Sequence, residues 1–167
     1  RARHGRGVAA ILQKSVNSQL ISDAPLGVFL SGGIDSTLIS SLVSKNFNKI
    51  NTFNMGFDFN EYDESKFAKK IASYLNTNHT QFTCTKNDFL DTISEVPKAY
   101  DEPFADSSQI PTMLISKFTK KDVKVVLGGD GGDELFCGYN RYMLTNNWSK
   151  KFNSIPLSLR KILIALS

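Results

Sequence analysis

Two short stretches of the chain combine glycine with hydroxyls and carboxylates in a way few turns require: Leu30-Ser-Gly-Gly-Ile-Asp-Ser36 and Gly128-Gly-Asp-Gly-Gly-Asp-Glu134. In the first, adjacent Gly32 and Gly33 allow a sharp turn that turns backbone N–H groups toward a ligand, and Ser31 and Ser36 add hydroxyl donors. A helix starting just after them would aim its positive end at the same point. Such donors suit a phosphate. The Gly-Lys-Ser/Thr ending of a Walker A loop is missing. Asp35 would repel a phosphate unless a cation stood between them, and Mg²⁺ resolves that conflict. The bland alternative is a strand-to-helix turn with Asp35 as a helix cap.

The second stretch sets three acids, Asp130, Asp133 and Glu134, among four glycines. Carboxylates so close repel one another unless a cation or a cationic substrate neutralises them. The glycines let a ligand approach the backbone. The ligand spacing of an EF-hand calcium loop is absent. Elsewhere the chemistry is thin: His4 and His79 build no Ser/His/Asp triad, and His79, isolated before a strand, reads as structural.

The elements that must position these loops follow from hydrophobic spacing. Ala9, Leu12, Val16 and Leu20 predict an amphipathic helix that Pro25 ends. Leu26 to Leu30 is a short apolar run, the pattern of a buried strand. Leu38, Ile39, Leu42 and Val43 mark one face of a second helix. Ile50 to Met55 predicts a strand, Phe67, Ile71, Tyr74 and Leu75 a helix, and Thr80 to Thr83 a strand with Phe82 inward. Asp88 to Val96 is expected to be helical until Pro97. Ile110, Met113, Leu114 and Phe118 line a further helix, and Val123 to Leu127 is the most strand-like run. Strands alternating with helices predict βαβ units: an α/β fold with a doubly wound parallel sheet covered on both faces. Ligands of such sheets bind beyond the carboxyl ends of strands, which selects the loops after Leu30 and Leu127. The aromatics Phe136, Tyr139, Tyr142 and Trp148, and the later Leu159, Ile162, Leu163 and Leu166, are expected to be core.

Composition narrows the class. The 167 residues, 41% hydrophobic and 22% charged, fit one ordinary globular domain. The net charge of +4 is spread over Arg1, Arg3, Arg6 and the pairs Lys69–Lys70, Lys120–Lys121 and Lys150–Lys151. A nucleic-acid binder shows a basic stripe with interleaved aromatics instead, so no nucleic-acid partner is expected. Cys84 and Cys137 stand far from any metal-binding or disulfide pattern, as reduced cytoplasmic thiols would. No stretch suits a secretory signal, and Leu157 to Leu166 is too short to span a bilayer, so no membrane partner is expected.

The first loop resembles the Ser-Gly-Gly-x-Asp-Ser loop of the pyrophosphate-loop ATP hydrolases, whose doubly wound sheet is of the adenine nucleotide α-hydrolase type and which cleave ATP between its α- and β-phosphates. The second loop narrows the likeness. Gly129-Asp-Gly-Gly-Asp-Glu-Leu-Phe136 with Gly138-Tyr-Asn-Arg-Tyr142, Val28-Phe-Leu-Ser-Gly-Gly-Ile-Asp-Ser36, Phe53-Asn-Met-Gly-Phe57 and Tyr100-Asp-Glu-Pro-Phe-Ala-Asp-Ser-Ser108 resemble the asparagine synthetase family. The blocks stand in the family's order over most of residues 8 to 145.

That resemblance implies roles. Leu30 and Met55, with the Gly56 backbone, would line the adenine pocket. Ser31, Gly32, Gly33 and Ser36 would hold the pyrophosphate, and Gly128 and Gly129 would touch ATP. Asp35 and Asp133 would ligate Mg²⁺. Asp130 would stand at an acid important for forming the acyl adenylate, with Glu134 as a supporting acid. Asp101, Asp106, Ser107 and Ser108 are candidates for contacting the acid substrate, although a turn with helix caps explains them equally well. Gly128 replaces a common serine, and Cys137 a usual glycine.

The implied activity is amidation of aspartate through β-aspartyl-AMP. Ammonia would come from glutamine hydrolysis in a glutaminase domain of the same parent chain. Residues 1–167 would be one synthetase domain, a fragment without that N-terminal domain and without the family's C-terminal helical part and its catalytic lysine. A homodimer is compatible with this. The rivals are an amidotransferase of the same family acting on another carboxylate such as a sugar acid, a non-catalytic ATP-binding relative, and a tRNA-modifying enzyme, which would want a basic extension.

Overall fold

Leu26, Val28 and Phe29 form a strand because they lie at the middle of a sheet. In the computed structural model, which describes residues 2–58, 64–102 and 105–156, β1 (Leu26–Phe29) is flanked by β2 (Asn51–Phe57) and β4 (Val125–Leu127), and β3 (Asn78–Cys84) pairs outside β2. The order is β3-β2-β1-β4 and every pairing is parallel. The connections from β1 to β2 to β3 step outward in one direction. The chain then returns to place β4 on the opposite side of β1. The reversal between β1 and β4 is a topological switch point, where doubly wound sheets open a crevice at their carboxyl edge.

Register sorts the side chains between two faces. Val28 pairs with Thr52, and Thr52 with His79. Their face carries the main cluster, in which Val28, Leu26 and Leu127 pack with Val16 of α1 (Ala2–Gln19) and with Leu42 and Val43 of α2 (Ile34–Ser44). Farther along, α3 (Ser65–Tyr74) lays Ala68 and Ala72 on Leu30. The opposite face bears Phe82, whose ring stacks on Phe118 of α6 (Gln109–Thr119) with centroids 4.5 Å apart. Between β3 and α6 run α4 (Lys86–Ile93), begun by a Thr85–Asp88 capping box, and the single turn α5 (Val96–Ala99). Thr85 holds the Asp88 carboxyl below its ordinary range.

Helix faces depart from expectation where small residues replace large ones. Along α2 the buried positions are Ser36, Ser40, Leu42 and Val43, and Leu38 is exposed. Along α3 they are Ser65, Ala68 and Ala72, while Phe67 is 62% exposed and Tyr74 also faces out. Serines and alanines bring a helix axis closer to the sheet than a phenylalanine would, so backbone proximity wins over side-chain size. Pro97 does not end a helix. It sits in the first turn of α5, where its missing N–H has no intrahelical partner to lose.

The chain divides into two compact units, Arg1–Gly129 and Asp130–Ser167. The second holds α7 (Gly132–Phe136) and α8 (Asn140–Asn153). Its aromatics are not core: Phe136, Tyr142 and Trp148 are exposed, Trp148 by 72%, and Tyr139 is half-buried. On α8 the large apolar residues Tyr142, Met143, Leu144 and Trp148 fall all around the helix rather than on one stripe, so no single face can bury them. Leu159, Ile162, Leu163 and Leu166 lie outside the described residues. Among the described residues no helix is long and apolar enough to cross a membrane.

Candidate functional site

The loop Ser31–Gly33 leaves the carboxyl end of an inner strand and delivers the chain straight into α2. Gly32 takes φ +97°, a left-handed conformation that a side chain would strain, and a Cβ there would come within 3.0 Å of the Ala68 nitrogen. Gly33 is the N-cap of α2 in an extended conformation and makes no side-chain cap bond. The first turn of an 11-residue helix therefore begins without a cap of its own, at the positive end of its dipole.

Inside the loop the two serines bind each other. The Ser31 and Ser36 hydroxyls share a 2.9 Å hydrogen bond, Ser31 N–H donates to Ser36 Oγ at 3.2 Å, and Gly33 N–H donates to Ser31 Oγ at 3.2 Å. The loop is thus pre-shaped by its own hydroxyls. Ser36 is 8% exposed and Ser31 faces solvent. Ile34 is also exposed, and Asp35 is half-buried in the first turn of α2.

Gly129, just after β4, reaches the same place. A Cβ on Gly129 would stand 2.8 Å from the Ser36 nitrogen and 3.0 Å from the Asp35 carbonyl carbon. Only a glycine lets this backbone lie against the first turn of α2. The structure therefore brings Ser31, Gly32, Gly33, Asp35, Ser36 and Gly129 together within the first unit. Gly128, half-buried, follows Leu127 directly. Leu30 is adjacent, but its side chain is spent in the core against α3, and its N–H donates to Phe53 C=O at 2.8 Å. Met55 is half-buried and Gly56 buried toward the carboxyl end of the neighbouring β2.

Asp130, Asp133 and Glu134 belong to the second unit. Asp133 and Glu134 lie in the first turn of α7, after Gly131 in a left-handed conformation (φ +85°). Asp130 and Glu134 are exposed, and Asp133 is half-buried. Glu134 accepts a hydrogen bond of 2.5 Å from the Tyr139 hydroxyl. That bond holds the Glu134 carboxyl below its usual range and pushes the Tyr139 phenol up to about 12. The Arg141 guanidinium covers the Tyr139 ring at 4.2 Å. Cys137 follows α7 with φ +59°, a left-handed position where glycine is the unstrained residue.

Carboxylate oxygens, the donors a hard cation takes, are carried by Asp35 in the first unit and by Asp133 in the second. Mg²⁺ is held by one or two carboxylates with phosphate oxygens and water rather than by a protein cage. Among the described residues no group of three or more His, Cys, Asp or Glu gathers to hold a metal.

The remaining candidates behave as architecture. Asp106 Oδ1 accepts from both the N–H and the hydroxyl of Ser108, 2.8 Å each, which lowers its pKa and forms a turn ahead of α6. Asp101 and Ser107 are exposed, and residues 103–104 of that block lie outside the described residues. His79 Nδ1 lies 3.0 Å from Thr52 Oγ1, which in turn bonds Thr77 Oγ1 at 2.7 Å; burial first, then Lys69, lowers the imidazole pKa. Cys84 is buried and its thiol pKa is raised, chiefly by that burial, whereas Cys137 is exposed.

One site residue escaped sequence reasoning. Asn54 of β2, 3% exposed, donates from Nδ2 to the Leu30 carbonyl at 3.1 Å. The available signal was a carboxamide between the apolar Phe53 and Met55 of β2.

A sequence profile described as Asparagine synthase matches residues 7–166. The chain is 37% identical over 150 residues to asparagine synthetase (glutamine-hydrolyzing) 1 of Bacillus subtilis, which covers 90% of this chain. It is 35% identical over 140 residues, 76% of its length, to the corresponding enzyme 1 of Lotus japonicus. It spans 24% of the length of each. In fold it resembles NMN synthetase of Francisella tularensis (TM-score 0.57, 19% identity, 80% of this chain and 58% of that one). It also resembles an NH3-dependent NAD synthetase of Campylobacter jejuni (TM-score 0.53, 17% identity, 81% and 60%).

Proposed function

The chain belongs to the asparagine synthase family, and we propose that it is the ATP-binding, carboxylate-activating part of a glutamine-dependent asparagine synthetase. The observation that carries this proposal is the uncapped start of α2 at the switch point of the sheet, wrapped by Ser31–Gly33, with Gly129 seated on it. The positive end of a helix and a glycine turn pre-shaped by two hydroxyls stand together there, the setting in which a pyrophosphate group is bound.

In the proposed reaction the side-chain carboxylate of aspartate attacks the α-phosphorus of ATP, and the bond to pyrophosphate breaks. Ammonia, supplied by a glutaminase domain of the parent protein, then attacks the acyl carbon, and AMP leaves. Gly32, Gly33 and the first turn of α2 hold the departing pyrophosphate, while Ser31 and Ser36 orient it. Asp35 and Asp133 are assigned to Mg²⁺, which when bound supplies charge neutralisation at the leaving group. Asp130 is assigned to the acyl-transfer centre and Glu134 supports it. Met55, Gly56 and Gly128 border the nucleotide, together with the main chain of Leu30, whose side chain is buried against α3. The chain positions and neutralises, and no covalent enzyme intermediate is needed.

The test is exchange of labelled pyrophosphate into ATP by the full-length protein, with Mg²⁺, across a panel of carboxylic acids. Exchange that needs aspartate and disappears in Asp35→Ala is expected. Exchange with a sugar acid instead would keep the chemistry and change the substrate. Tight nucleotide binding without exchange for any acid would leave a binding protein rather than a ligase.

A further inference from the structure

We infer that Asn54 is a positioning residue for the phosphate-binding loop, acting through the Leu30–Ser31 peptide group. The Leu30 carbonyl and the Ser31 N–H belong to one rigid plane. Asn54 Nδ2 grips the oxygen end at 3.1 Å, and Ser36 Oγ accepts from the nitrogen end at 3.2 Å. One residue earlier, the Leu30 N–H is bound to the Phe53 carbonyl at 2.8 Å. The last peptide before the loop is therefore fixed from β2 on one side and from α2 on the other. The direction in which Ser31 and Gly32 leave the sheet is set by that plane.

The placement is costly, which argues against a filler role. Asn54 is 3% exposed, and its Oδ1 is buried with no hydrogen-bond partner among the described residues. A half-satisfied buried carboxamide destabilises a fold relative to an apolar side chain of the same volume. Thr52, two residues back on the same face, is fully buried too, but its hydroxyl serves only Thr77 and His79, away from the loop. The two positions separate stability from positioning.

The inference rests on the reading of the loop as a nucleotide site, so two measurements are made on the full-length protein. The first is amide hydrogen exchange of the segment 31–36 without nucleotide. The second is the KM for Mg-ATP, against the KM for the acid substrate, in pyrophosphate exchange. In Asn54→Leu, faster exchange in 31–36 is expected, with an ATP KM raised at least tenfold and an acid KM within twofold of wild type. Thr52→Val should lower the melting temperature and leave both KM values and the loop's exchange unchanged. If Asn54→Leu does not fold, Asn54→Ser, too short to reach the Leu30 oxygen, carries the same expectations. Unchanged loop exchange in the Asn54 variant overturns the clamp. So does a rise in ATP KM that Thr52→Val reproduces. A wild-type protein that binds no Mg-ATP overturns the nucleotide reading instead, and the exchange comparison still decides the clamp.

Discussion

Cys137 occupies a backbone conformation that suits another residue. At φ +59° and ψ 39° it ends α7 in the left-handed region, where an L side chain costs roughly 1–2 kcal/mol and glycine does not, less the extra chain entropy of glycine. Cys137→Gly is therefore expected to stabilise the second unit by about 0.5–1 kcal/mol, read as a higher urea midpoint with an unchanged slope. A drop in stability would mean that the thiol makes a contact worth more than the strain. Nearby, the Tyr139–Glu134 bond makes a separate prediction. The phenol is pushed up to about 12 because Glu134 accepts its proton's hydrogen bond. A raised folded pKa means that this bond stabilises the fold below the ordinary tyrosine value of about 10 and is lost as pH rises through about 12. Ultraviolet titration of the five tyrosines should show one ionising last, and Glu134→Gln should return it toward the others. His79 acts with the opposite sign. Its lowered pKa favours the neutral ring in the fold, so its contribution is present above about 6.5 and fades as pH falls below that value.

At the scale of elements, glycines decide how closely the loops meet the sheet and the helices. Gly129→Ala places a methyl 2.8 Å from the Ser36 nitrogen, against backbone that cannot yield cheaply. It should abolish nucleotide binding while costing the fold about 1–3 kcal/mol, as equilibrium titration and thermal melting will show. Gly27→Ala is its control, since the new methyl meets the Phe53 ring at 2.6 Å on the face away from the loop's serines. It should lower the melting temperature by a similar amount and leave nucleotide affinity intact. The strands were legible because Leu26 to Leu30 is a short apolar run, and Ile50 to Met55 and Val123 to Leu127 are short segments rich in apolar and β-branched residues without helical spacing. The helix faces were less so. Hydrophobic spacing favours Phe67 and Tyr74, but the face that meets the sheet is chosen by Ser65, Ala68 and Ala72, whose smallness carries no signal in a hydrophobicity pattern. Pro97 misled for a related reason, since its effect depends on whether it lies inside a helix or in the first turn, which composition does not say. Asn54 was hidden in the same way, because its partner, the Leu30 carbonyl, is 24 residues distant in sequence.

At the scale of the molecule, both glycine-rich loops follow the strands that flank the switch point, β1 and β4. Strand–helix alternation anticipates ligand loops at the carboxyl ends of strands, and glycine and carboxylate content singled out these two; that their strands flank the reversal is seen only in the strand order. The division into two units could not be anticipated, since no linker composition separates Gly129 from Asp130. It gives the last prediction a specific form. The loop, α2 and Gly129 all belong to the first unit, so ligand binding should stabilise the unfolding transition of that unit. At a concentration one hundred times Kd, binding to the native state alone adds about 2.7 kcal/mol. For a chain of this size that is a rise of about 5–10 °C in Tm. With Mg-ATP the rise is expected in full. With ATP and EDTA it should largely vanish, because the Asp35 carboxylate then faces the phosphates without a cation between them. In Asp35→Ala it should also largely vanish, because the cation loses a carboxylate ligand. An equal rise with and without the metal would show that the helix start and loop amides hold the phosphates unaided and would remove Asp35 from the ligand set. No rise in either condition would reduce Ser31–Ser36 to a strand-to-helix turn whose serines serve only each other.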